Sequence, residues 1–288
     1  MSERVPALAG RAAAPAQPAW GVAAAAAAAL AVVFAPLGPP LLQAWRTNEY
    51  AGHGPFVPVY AAFLLWLDRE RLAGAPRRIE PLGVLAALAG AAAFGLGRAW
   101  ESLTLQVPAL VVAVAGVVLL AFGPRVLRAA AFPVAFLALM MPLPAPVVQV
   151  VTLPIQHFGA WLASAVMFVL GIPHHRDGIL LELPNVALAV VEGCNGLRFL
   201  MALVTLTAAF AQATLHRWQD KVLVTVAAIP VALLANAARV TVVTLAGYYV
   251  GAHAASGLTH HSIGKGVWAA ALVPLLLLGL GLRRRRAA

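Results

Sequence analysis

Three groups that together can open an amide bond lie in the last third of this chain: the thiol of Cys194, the guanidinium of Arg239 and the imidazole of His260. Cys194 is the only cysteine, set in VEGCNGLRFL between Glu192 and Arg198, where the apolar run LMALVTLTAAFAQAT begins. A thiol attacks as its thiolate, and an ordinary cysteine with a pKa of about 8.5 is mostly protonated at neutral pH. The pattern predicts Cys194 in the first turn of a helix, whose positive end favours the thiolate. Arg198, one turn later on the same face, and Arg239 add positive charge. The plainer reading, a small buried residue, suits most free cysteines. It suits a polar helix entrance less well.

Arg239 sits in LLANAARVTVVT with apolar neighbours over several turns. A charge inside a membrane span costs ~2.5–3.5 kcal/mol or more, so it has a partner, a task, or a route to the headgroups by snorkelling. As a site residue it would offer fixed donors to a substrate carbonyl or an oxyanion. Asn236, three residues earlier, shares its helical face. His260 and His261, in HHSIGKGVW before the last apolar run, are candidates for the base that activates Cys194, or else interfacial polar residues that cap a helix. His174 and His175 raise a metal alternative, which neither an HExxH motif nor a thiolate cluster supports.

The elements that must position these groups follow from composition. Of 288 residues, 62% are hydrophobic and 10% charged, where soluble domains carry about a quarter charged. Runs such as WGVAAAAAAALAVVFAPLG are long enough to cross a hydrocarbon core of roughly 30 Å. The fold class is therefore an all-α polytopic membrane bundle. Apolar segments fall near 20–38, 55–68, 81–98, 103–122, 127–142, 150–172, 195–214, 221–250 and 264–282. The first reads as a retained span and not a cleaved leader. Arginine clusters at 69–78, 125–128, 217–221 and 283–286 belong in the cytoplasm by the positive-inside rule, so the net charge of +10 speaks for lipid headgroups and not for nucleic acid. Nine crossings break the parity between residues 128 and 217. Eight, with one of the two proline-rich segments around 127–172 failing to span, restore it and leave both termini inside.

Depth then follows from helix rise. Cys194 precedes Arg217 by 23 residues, His260 precedes Arg283 by 23, and Arg239 follows Lys221 by 18. These separations correspond to roughly 27 to 35 Å, about one bilayer. All three side chains are thus expected near the outer surface. GIPHHRDGILLELP and VALAVVEG alternate in polarity and predict a short extramembrane hairpin or extended stretch containing Asp177 and Glu182. WRTNEYAGHGPFVPVY, at 45–60, falls on the same side; Trp45, Tyr50 and Tyr60 read as interfacial anchors and His53 as a possible border of a substrate groove. Glu192 reads as a solvated or ion-paired loop residue.

Cys194-Asn195-Gly196, Asn236 through Arg239 and His260 through Gly264, in this order, resemble the three signatures of the exosortase/archaeosortase family of membrane cysteine transpeptidases. EYAGHG and the FPVAFLALMMPLP to GIPHHRDGILLELP region are similar to its early and central segments, so the resemblance runs from about residue 45 to 270. Asn195 departs from the small hydroxyl residue usual after the cysteine, and the doubled histidine leaves the base open, with the spacing to Gly264 favouring His260.

The resemblance implies one integral domain at 20–282 between a cytoplasmic tail at 1–19 and a basic cytoplasmic tail at 283–288. It implies an enzyme of the inner membrane, working without cofactor or metal, with Cys194, Arg239 and His260 catalytic. Arg198, Asn236, His261 and Glu192 are candidate substrate contacts. Its substrates would be C-terminal tails of secreted proteins, each a short motif, typically Pro-Glu-Pro, then an apolar span and a basic tail. Its acceptor would be water or an amine, on a lipid-linked or polysaccharide component. The rival reading is a non-enzymatic transporter subunit or polysaccharide-export scaffold, whose charges would line a path at mid-depth. A differently equipped intramembrane protease finds no Gly-x-Ser-x-Gly and no paired intramembrane aspartates.

Overall fold

The computed structural model describes residues 20–190, 196–251 and 257–285, with side chains in the last stretch from 262 onward. It is a polytopic helical bundle: α1 (Trp20–Phe34), α2 (Gly38–Thr47), α3 (Phe56–Leu67), α4 (Arg69–Gly74), α5 (Leu82–Ala99), α6 (Leu103–Phe122), α7 (Pro124–Ala129), α8 (Ala131–Phe136), α9 (Ala145–Val169), α10 (Leu197–Thr214), α11 (Trp218–Val250) and α12 (Gly257–Arg284). Seven described helical segments are long and apolar enough to cross a membrane: Trp20–Thr47, Leu82–Ala99, Leu103–Phe122, Ala145–Val169, Leu197–Thr214, Trp218–Val250 and Ser262–Arg284. The expected eight crossings need one more, and the candidates are the shorter apolar helices Phe56–Leu67 and Ala131–Met140.

Each apolar segment read from the sequence is helical, because a backbone in lipid must satisfy its own hydrogen bonds. The proline-rich region divides unevenly. Residues 124–140 form α7, α8 and a 3₁₀ turn, Leu137–Met140, interrupted at Ala130 and preceded by Gly123 at φ 85°. Pro142 and Pro144 hold the chain extended before α9, and Pro144 is its N-cap in the β region. The α9 helix then runs 25 residues with Pro154 inside it. The broken piece is the first of the two.

Contacts group the chain into two compact units, residues 1–38 with 65–138, and residues 39–64 with 139–288. In the first, α5 and α6 meet backbone to backbone. A Cβ on Gly90 would lie 2.7 Å from the Ala109 carbonyl oxygen, and one on Gly83 or Gly116 would enter the facing backbone. Phe34 of α1 packs on Phe94 with ring centroids 4.4 Å apart.

The second unit holds the site. Leu203, Ala228, Ala232, Ala271 and Leu275 join α10, α11 and α12 in one apolar core. Ala160 and Ala163 of α9 meet Val240 of α11 beneath a three-stranded antiparallel sheet, β1 (His175–Asp177), β2 (Leu180–Leu183) and β3 (Val186–Ala189). Leu181 and Leu183 of β2 point inward and Glu182 outward, the alternation visible in ILLELP. The Asn185 side-chain amide donates to the Tyr248 carbonyl at 2.7 Å, fastening the sheet to the end of α11.

Candidate active site

The described part of α10 begins at Leu197, with Gly196 as its N-cap at φ 72°. A left-handed backbone there suits glycine. Space gives a second reason: a Cβ on Gly196 would lie 2.7 Å from Cγ of Asn236. In the first turn, Leu197 enters the core at 1% exposure, Arg198 turns outward and Phe199 turns towards α11. Cys194 and Glu192 lie outside the described residues, as does the expectation that Cys194 occupies the first turn of α10.

Arg239, mid-way along α11, is 7% exposed. Its guanidinium carbon stands 5.1 Å from the centre of the Phe199 ring. A Cβ on Gly264 of α12 would lie 3.2 Å from Nε and 3.4 Å from Cζ. The fork is buried against an aromatic ring of α10 and the bare backbone of α12, inside the protein; snorkelling does not describe it. A desolvated cation–π contact of this kind contributes about 2 kcal/mol or more.

Asn236, one turn before Arg239, is 1% exposed, and neither amide atom finds a hydrogen-bond partner among the described residues. Gly159 of α9 leaves room for it, its Cβ position lying 3.7 Å from Nδ2. His260 and His261 belong to the described backbone of α12, but their side chains lie outside the described residues. Position 260 is one helical turn before Gly264. Three segments far apart in sequence thus meet: Gly196 against Asn236, and Gly264 against Arg239.

A family model for transmembrane exosortases matches residues 45–277, most of the chain. The chain belongs to that family. No curated protein and no solved structure matches it. Exosortase membership and the seven long apolar helices make this a multi-pass membrane protein.

Other exosortase residues picked out in the sequence serve the frame. The Trp45 indole donates to the Met140 carbonyl at 3.0 Å and the His53 Nε2–H to the Leu139 carbonyl at 2.9 Å, so the supposed anchor and groove border pin the 45–54 loop to the end of the 3₁₀ turn. Burial pushes the His53 pKa down, against the opposing effect of the Leu139 and Tyr50 backbone beside the ring. Gly54 packs on the Trp45 ring. His174 accepts from the Ser164 hydroxyl at 2.8 Å and donates to the Ile172 carbonyl at 2.9 Å, while His175 is exposed on β1.

Sequence reading missed the partner of Arg198, which is Glu49 at 2.9 Å. No periodicity announces a pair so distant in the chain. It missed the work of the motif glycines too, although their presence in two signatures was the available signal.

Gly196→Ala is expected to lower stability by at least about 1–2 kcal/mol from backbone strain alone, before the clash with Asn236 is added. Thermal unfolding in detergent measures it, and an unchanged midpoint would show that the turn relaxes freely.

Proposed function

We propose that the chain is a membrane-embedded cysteine protease and transpeptidase that removes the C-terminal sorting signal of secreted proteins. The signal is a short motif of the Pro-Glu-Pro kind, an apolar span and a basic tail. The Cys194 thiolate attacks the scissile carbonyl, and the resulting oxyanion faces Arg239, whose guanidinium is fixed before charge develops. Collapse breaks the C–N bond, His260 protonates the departing amine, and a thioester remains on Cys194. An acceptor amine on a lipid-linked or surface polymer component, or water, then attacks the thioester. His260 takes the proton of that nucleophile, and the thiolate leaves.

The observation that carries this reading is the meeting of all three motif segments in one packed cluster, with a buried guanidinium at its centre. Helix lengths support a site about one bilayer away from the arginine clusters that the positive-inside rule assigns to the cytoplasm. Position 196 is separated from Arg217 by the 18 residues of α10, about 27 Å of helix, and Gly264 from Arg283 by a similar rise.

The test is a co-expressed secreted reporter carrying a three-part tail. His260→Ala is expected to lower cleavage by about 10²–10⁴-fold, the usual contribution of a general acid–base, and His261→Ala by far less. The reverse order would move the base by one residue. Equal, small losses would remove histidine from the mechanism.

A further inference from the structure

Resting on that reading, we infer that Arg198 recognises an acidic residue of the substrate tail and that Glu49 is a built-in competitor for the same cation. Arg198 stands in the first turn of α10, next in sequence to the Phe199 that carries Arg239. The entrance of α10 favours anions: Gly196 has no side chain to cap the helix, its first turn has no acidic residue, and Arg198 adds a cation to the positive end of the dipole. Left alone, that arrangement repels itself. The chain answers with a carboxylate from elsewhere, Glu49, whose oxygen lies 2.9 Å from the Arg198 guanidinium.

The site therefore already displays the ligand chemistry it accepts, a carboxylate at the mouth of α10. Glu49 is delivered there on a rigid loop. Trp45 and His53 anchor the loop to the carbonyls of residues 140 and 139, and the Asn48 side chain accepts the Tyr50 N–H at 2.8 Å. Yet the pair is open, with side chains 56% and 47% exposed. Exposed ion pairs of this kind are weak, so an incoming carboxylate can take the cation from Glu49. A tail glutamate beside the scissile bond gains the guanidinium and the helix end together. A neutral tail has to displace Glu49 without replacing its charge, so the internal carboxylate screens for acidic signals.

The experiment uses full-length protein in membranes and two reporter tails that differ only by glutamate or glutamine in the motif. Wild type is expected to cleave the glutamate tail with about tenfold lower KM, the ordinary scale for a hydrogen bond to a charged group. Arg198→Gln should abolish that preference while still cleaving both tails. Glu49→Gln should lower the KM for the glutamate tail by up to about fivefold and leave kcat unchanged. Arg198→Glu should reverse the preference in favour of a tail with lysine at the same place. An Arg198→Gln enzyme that keeps the full preference, or a Glu49→Gln enzyme with unchanged KM, overturns the inference and leaves the proposed reaction standing. A wild-type enzyme that cleaves neither tail overturns both.

Discussion

Cys194→Ala is expected to leave a three-part reporter tail uncut while the variant accumulates and unfolds as wild type does. Removing the nucleophile from a cooperating set costs on the order of 10⁴-fold or more, because the remaining groups have no bond to make. Arg239 would still face a polarised carbonyl and His260 would still hold a proton, but water would have to attack unaided. Stability should not change, since a small apolar side chain replaces another of similar volume. Mass spectrometry of the wild type adds a positive sign: the secreted, N-terminal portion of the reporter bound to Cys194 as a thioester and released by hydroxylamine. Full processing by the alanine variant would discard the thioester route and leave family membership untouched.

Arg239→Lys is expected to lower kcat by about 10²-fold or more, the loss that follows removal of a preorganised oxyanion donor. The geometry explains why the change is not conservative. The guanidinium carbon lies 5.1 Å from the centre of the Phe199 ring, and a Cβ on Gly264 would come within 3.2–3.5 Å of Nε, Cζ and Nη2, so the site is filled by a branched, planar head group. A lysine ammonium is a point charge on a flexible stem, and it has no plane to match the slot and no second donor at fixed angle. The split between kcat and KM decides the role. A variant with wild-type turnover would reduce Arg239 to a packing cation.

Much of this architecture was open to reading from hydropathy, for a physical reason. In lipid every span must satisfy its backbone internally, so each apolar segment between 20 and 282 folds as helix whatever its propensity. The small sheet was legible too, from the in-out alternation of Leu181, Glu182 and Leu183. The division of the proline-rich region was not, since α9 absorbs Pro154 within a long helix while residues 124–140 break up. At the site, the residue types of Arg239 and Asn236 announced themselves by being polar in an apolar run. What surrounds them did not. That Gly264 makes room for a guanidinium, or Gly196 for an amide, is a fact about two helices at once. The Glu49–Arg198 pair joins two segments with no shared pattern.

The pinned loop has a consequence for biogenesis. Its two anchoring donors find their acceptors 95 residues on, for Trp45, and 86 residues on, for His53. Synthesis at roughly 5–20 residues per second puts those acceptors about 5–20 s behind the loop, and Arg198 later still. Through that interval the nascent indole and imidazole can bond only to water or headgroups. A chain interrupted before residue 139 would keep them so, displaying to quality-control proteases a polar stretch that the finished protein fastens down.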